Sequence, residues 1–174
     1  MHLRQYHQSD LEAVIEVFSN AVHQLGIQHY SRNALLAWAP YNPDREKWRD
    51  RLASILVLIV EDGGAIAGFI GYDRTGLIDL LFVHSAFARR GIATMLMETV
   101  EQLAAIDGLD YIHTKASLVA RPFFESRGFV IAGEEIVSVG GENLCRFDMI
   151  KAIDSDQKAI LSLPNSILNR ILSC

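Results

Sequence analysis

One stretch constrains this chain more than any other: Ile78 to Ala105, where a β-branched and aromatic run meets a short polar loop and then a helical apolar pattern. Ile78, Leu80, Leu81, Phe82 and Val83 read as a buried strand. From Ile92 onward the stripe positions are Met95, Leu96, Thr99, Val100 and Leu103, the three-and-four spacing of one helical face. The helix therefore starts at or near Gly91. First-turn N–H groups have no partner inside a helix and carry roughly half a positive charge, which makes that end an anion site. Gly91 and Ala93 remove side-chain bulk where an anion approaches the backbone, and Arg89 and Arg90 add two charges beside it. A phosphate or pyrophosphate suits this arrangement; a helix start with two solvated arginines is the alternative.

The chain has 174 residues, half of them hydrophobic, which is enough for one domain with a core. No apolar run approaches the ~20 residues that span a bilayer and no basic-then-apolar leader opens the chain, so neither membrane nor export is expected. Cys145 and Cys174 have no metal or redox spacing. They imply no metal site and suit a reducing cytoplasm. A net charge of −5 speaks against a nucleic-acid partner and is compatible with a cationic amine.

In chain order, Met1 to His7 reads as a first strand, and Ser9 and Glu12 have capping-box spacing. Leu11, Val14, Ile15, Phe18, Val22 and Leu25 form the stripe of a packing helix that Gly26 ends. Ser31 is a cap for a second helix stopped by Pro40, in a segment dense in aromatic residues and histidine. Ile55–Val60, a turn at Asp62-Gly63-Gly64, Ala65–Tyr72 and a turn at Asp73–Gly76 form a meander into the strand ending at Val83. Leu109–Lys115 reads as a strand parallel to it, Val119–Arg127 as a short helix, and Phe129–Val139 with Asn143–Met149 as a closing hairpin. Residues 151–174 form an extra helical extension that packs on the domain or on a second copy, giving a homodimer.

Val83 to Thr94 resembles the acetyl-coenzyme A loop of the GNAT superfamily of N-acetyltransferases: Arg or Gln, two residues, Gly, one residue, then Gly or Ala. Gly91 and Ala93 match; Ala88 stands at the first fixed position and Ser85 where a proline is usual. Ser117 to Phe129 carries a second resemblance, to Asn, Ala, an aromatic followed by Tyr, then Gly-Phe. Ala120, Phe123, Gly128 and Phe129 match, while Ser117 replaces the Asn and Phe124 the Tyr. The resemblance covers about residues 1–150. It implies an α/β GNAT fold, a central mostly antiparallel sheet with one splayed parallel strand pair, flanked by helices.

It also implies acetyl-CoA as acyl donor, bound by Leu81, Phe82, Val83, Arg89, Arg90, Gly91, Ile92, Ala93, Thr94, Ser117 and Phe124. The acceptor, a small-molecule or peptide amine, would meet His29, Tyr30 and Trp38 between the first helix and the second strand. An amine of pKa near ~10.4 must shed a proton before it can attack, at about 1.36 kcal/mol per unit, so a base is needed. Asp79 is the first candidate, because members often place a carboxylate beside the donor there, and its sequence neighbours are apolar. His29 is the second choice, with His84 too far away. The proton for the departing thiolate, supplied in many members by the tyrosine that is Phe124 here, would come from Ser117, Tyr30 or water. Cys145, with no histidine beside it, makes an acyl-cysteine route less attractive than direct attack in a ternary complex. The alternatives are an acyl-CoA-binding sensor without turnover and, less well supported, a P-loop enzyme, for which the Lys-Ser or Lys-Thr after Gly91 is missing.

Overall fold

The computed structural model describes residues 1–153; Lys151 and Ala152, expected in the helical extension, instead end the last strand, and residues 154–174, the rest of that extension with Cys174, lie outside the described residues. The order is β1 (His2–Gln5), a 3₁₀ turn (Gln8–Asp10), α1 (Leu11–Leu25), α2 (Arg32–Trp38), α3 (Arg45–Ala53), β2 (Leu56–Asp62), β3 (Ala65–Tyr72) and β4 (Leu77–Val83). A second 3₁₀ turn (Ser85–Phe87) leads to α4 (Ile92–Ile106), β5 (Tyr111–Ser117), α5 (Arg121–Ser126), β6 (Val130–Val139) and β7 (Glu142–Ala152). The seven strands form one mixed sheet in the order β1-β2-β3-β4-β5-β7-β6, and only β4 and β5 run parallel. No helix among the described residues is long and apolar enough to cross a membrane.

Each sheet face buries its own core. One core brings Leu58, Ile70 and Ile78 against Ile92, Leu96, Met97 and Val100 of α4 and Phe124 of α5. The other brings Ile59, Phe69 and Leu80 against Val14, Phe18 and Val22 of α1, Leu35 of α2 and Leu52 of α3. The α4 stripe is wider than its sequence suggests, since Met97 and Ala104 are fully buried beside the expected positions. It also carries a charge inward: the Glu101 carboxylate, 7% exposed, receives Lys151 at 2.8 Å and Arg127 at 3.1 Å. A buried carboxylate needs such partners, because an unpaired one is strongly destabilising.

Two local expectations change. The Ser9–Glu12 capping box does not form, because the chain enters α1 through the 3₁₀ turn, where Asp10 accepts the His7 N–H at 2.7 Å and is held by Arg4 at 2.7 and 2.9 Å. Gly26 does end α1, with an ordinary right-handed backbone (φ −79°); any Cβ there would lie 2.4 Å from Val22 O and 2.7 Å from Leu35 Cδ2. The glycine is required chiefly by the Val22 carbonyl in the last turn of α1, with Leu35 of α2 closing the space from the other side. Ser31 caps α2 as expected, its Oγ accepting Ala34 N–H at 3.1 Å.

Gly68 in β3 has the same kind of reason, and it matters for the site. A Cβ there would stand 2.9 Å from both Ile92 Cγ2 and Phe82 O, so its absence lets the first residue of α4 sit directly on the sheet. Overpacking of this kind costs about 1–3 kcal/mol, so Gly68→Ala should lose stability of that size in urea unfolding. An unchanged midpoint would contradict this seating of α4.

Candidate active site

The site begins where β4 and β5 part. Their pairing consists of two rungs, Leu77 with His113 and Ile78 with Thr114, and the buried Thr114 hydroxyl donates to Ile78 O at 2.8 Å on the second. Beyond it β4 stays with β3 and β5 with β7, and the two strands no longer pair. On the β3 side Tyr72 pairs with Ile78 and Gly71 with Leu80, so Asp79 is the extra residue of a β-bulge. Bulges bend a strand and re-aim its side chains.

The remainder of β4 therefore has one backbone edge free. His84 N–H bonds Ala67 O at 3.0 Å. By the two-residue strand period Phe82 and Leu80 also address β3, and Leu81 and Val83 direct their N–H and C=O groups toward the parted side. The expected splay near Leu81 to Val83 thus opens two residues earlier, at Asp79.

β4 leads into the anion-type end of α4. Gly91 is the N-cap with φ 81°, in the left-handed region that glycine adopts without strain, and Arg89 before it has φ 64°. The N–H groups of Ile92, Ala93 and Thr94 have no helical carbonyl to reach, because the helix begins with them. Space is open around Gly91, where an added Cβ would meet no atom within 4 Å. The loop is pinned from three sides. Ser85 N–H donates to Asn20 Oδ1 at 2.8 Å, His84 Nε2 stands 3.3 Å from Glu16, and Arg90 pairs with Asp62 at 2.7 Å while covering the Phe87 ring. Arg90 is thus committed to Asp62, leaving Arg89 exposed as the more available cation.

A cavity of about 410 Å³ lies between the parted strands and helices α1 to α3. Tyr30, Trp38, Asp79, Leu81, Phe82, Ser117 and Phe124 all line it. Val83 and Arg89 to Thr94 belong to the far end of β4 and the loop after it. His29 is exposed on the turn after α1, outside the lining.

Tyr30 reaches the site from that same turn. Its hydroxyl accepts Leu118 N–H at 2.9 Å and lies 3.4 Å from Cys145 O, and Trp38 meets its ring edge-on at 5.6 Å. Ser117, whose Oγ accepts Ala120 N–H at 3.2 Å, neighbours the phenol. Phe124 is 2% exposed, packed on Phe123 and Phe129. Burial pushes the Tyr30 phenol above its ordinary value, against the Leu118 N–H, which favours the ionised form. The phenol is therefore neutral at physiological pH.

Asp79 has a partner that its apolar sequence neighbours do not suggest. Arg51 of α3 grips it through Nε at 2.6 Å and Nη2 at 2.8 Å, and Trp48, three residues earlier on the same helix, lies 6.0 Å from the guanidinium. Arg51 and Trp48 both line the cavity. The signal for Arg51 in the sequence is no more than this three-residue spacing from Trp48. Thr114, which marks where the strands part, carries none.

A parted parallel pair, a free strand edge and an open helix N-terminus on one continuous strand-loop-helix define an acyl-transfer architecture. Residues 27–151 match the family described as "Acetyltransferase (GNAT) domain". The chain is 30% identical over 149 residues, 86% of its own length and 94% of its relative's, to the uncharacterized N-acetyltransferase YafP of Escherichia coli (strain K12). A crystal structure of a GCN5-related N-acetyltransferase from Rhodopseudomonas palustris is similar at TM-score 0.83 and 32% identity, over 87% of this chain and 94% of that one. The PaiA N-acetyltransferase of Thermoplasma acidophilum, crystallised with coenzyme A, shares the fold at TM-score 0.68 and 18% identity, over 87% and 98%. The chain belongs to the GNAT acetyltransferase family and is an acyltransferase enzyme.

The buried phenol has a measurable signature. Alkaline absorbance titration of the wild type minus Tyr30→Phe should place Tyr30 ionisation above the ordinary value near ~10. The unfolded chain ionises first, so the stability tied to this burial is complete below pH ~10 and is lost as pH rises through the folded value. Ionisation at or below the ordinary value would contradict a desolvated hydroxyl.

Proposed function

We propose that the chain moves the acetyl group of acetyl-CoA to the amine of a small acceptor by direct attack, with both substrates bound. The observation that carries this reading is that β4 joins all the required parts in order: Asp79 in the cavity, the free edge at Leu81 and Val83, and the open amides at the start of α4. The residues present fit the donor. A diphosphate would meet the N–H groups of Arg89 to Thr94, where Gly91 leaves the backbone uncovered, and Arg89 would add charge. The amide edge of Leu81 and Val83 would bond an extended amide-containing arm as a neighbouring strand would, and would aim one N–H at the thioester carbonyl oxygen.

Asp79 takes one proton from the acceptor ammonium, directly or through water, and releases it to solvent. The freed nitrogen lone pair forms the C–N bond, the C–S bond breaks, and Tyr30 delivers its phenolic proton to the departing sulfur. The remaining proton lost by nitrogen restores the phenol through water. Tyr30 thereby takes the part that Phe124, with no hydroxyl, is unable to play. An acyl-cysteine route has less support: Cys145 lines the cavity, but no histidine lines it to activate the thiol. A compartment of action in the cytoplasm accords with the cysteine content.

Thiol release from acetyl-CoA in the presence of an amine panel tests the reading. Tyr30→Phe should lower kcat about 100-fold or more, as loss of a positioned acid does, while calorimetry still detects coenzyme A uptake. Full activity in Tyr30→Phe would remove Tyr30 from this role, and lack of coenzyme A uptake by the wild type would remove the reading itself.

A further inference from the structure

The acceptor half of the cavity has a composition that selects among amines. Such selection rests on the acyl-transfer reading above and concerns the same site. Its walls are aromatic: Phe18 packs on Trp48 at 4.9 Å and on Phe82 at 4.9 Å, and Trp38 meets Phe82 edge-on at 6.5 Å. The lining contains two carboxylates, Asp44 and Asp79, and four cations that are each already paired: Lys47 with Asp44, Arg51 with Asp79, Lys115 with Glu135 and Asp148, and Arg146 with Glu135. The net negative charge of the chain is therefore not expressed here. A polyamine or aminoglycoside, carrying several ammonium groups, would find only Asp44 and Asp79 as carboxylates of the lining, each already paired to a cation.

The polar centre of the cavity is the Arg51–Asp79 pair, and it presents both signs to a ligand. Arg51 spends Nε and one Nη2 proton on Asp79. Its Nη1 group has no partner among the described residues, and the side chain is 46% exposed. Asp79 is 28% exposed. A guanidinium with free donors beside a carboxylate, set in aromatic walls, matches a molecule with an ammonium and a carboxylate on adjacent atoms and an apolar side chain. The whole cavity, its donor-lining residues Leu81, Ser117 and Phe124 included, is about 410 Å³, at the small-molecule end of ligand pockets, and leaves the acceptor only a part of that.

We infer that the acceptor is a free α-amino acid with an aromatic or long aliphatic side chain, its ammonium on Asp79, its carboxylate on the outer donors of Arg51 and its side chain against Trp38, Trp48 and Phe82. Arg51 is then a specificity-determining residue: it binds a part of the acceptor that does not react.

The full-length chain gives two readouts. Trp38 and Trp48 are the only tryptophans and both line the cavity, so phenylalanine or leucine should quench intrinsic fluorescence saturably in the presence of coenzyme A, and spermidine should not. In thiol release, phenylalanine should be turned over with a lower KM than phenethylamine, its analogue without the carboxylate. Arg51→Met should raise the KM for phenylalanine about 10- to 100-fold, the worth of a charge-assisted contact, and leave the KM for phenethylamine far less changed. Arg51→Lys, which keeps the charge without the fork, should fall between them and guards against a folding defect in the first variant. Preferential turnover of spermidine or kanamycin, or equal effects of Arg51→Met on phenylalanine and phenethylamine, would overturn the inference while leaving acyl transfer in place. Absence of coenzyme A uptake would instead strike at acyl transfer itself, and the acceptor assignment would fall with it.

Discussion

The structure depends on an interruption of pairing: β4 and β5 share two rungs and then separate. Backbone N–H and C=O groups in a protein interior need partners, so two parallel strands that begin to pair would ordinarily continue. Here continuation is prevented on both sides of the last rung. Thr114 uses its hydroxyl to bond Ile78 O, and Asp79 enters β4 as an unmatched residue that bends the strand. Side chains from α1, α2, α5 and β7 then fill the margins of the gap, leaving a cavity in which the β4 edge is the unsatisfied element. An extended ligand that supplied amide groups along that edge would complete the sheet.

The far end of β4 is organised to the same purpose by different forces. Gly68 removes the side chain that would hold Ile92 off the sheet, so α4 begins close to the end of the strand. Asn20 and Glu16 of α1, and Asp62 at the end of β2, fix the intervening loop. The first-turn amides of α4 are thereby held in one direction before any anion arrives, and less ordering remains to be done on binding. The left-handed conformation of Arg89, unfavourable for a residue with a Cβ, sits at this point of greatest constraint.

Much of this was legible in the residues. β3 falls on Ala65–Tyr72 as the flanking turns at Asp62-Gly63-Gly64 and Asp73–Gly76 suggest, and α4 begins after Gly91 because the apolar stripe and the glycine agree. Local pattern is informative where one element decides its own conformation. It is uninformative where a side chain arrives from elsewhere: Tyr30 meets Leu118 across 88 residues, and Arg51 meets Asp79 across 28, from a polar helix with a single buried residue, Leu52. The replacement of Tyr by Phe at 124 left a role to fill, and three candidates followed from chemistry. The fold brings two of them, Tyr30 and Ser117, into the lining of one cavity with Phe124. The placement of β7 between β5 and β6 is likewise a matter of long-range pairing that a hairpin pattern does not encode.

The central claim is that one strand-loop-helix holds the donor, with its diphosphate on the α4 amides and its arm on the β4 edge. Backbone ¹H–¹⁵N NMR of the labelled chain during titration with coenzyme A reads those amides directly. The account predicts that the largest shifts fall on Arg89 to Thr94 together with Leu81 and Val83, and that dephosphorylated pantetheine moves only the latter pair. Saturable shifts confined to other parts of the sheet, with Gly91 and its neighbours unmoved, would contradict it.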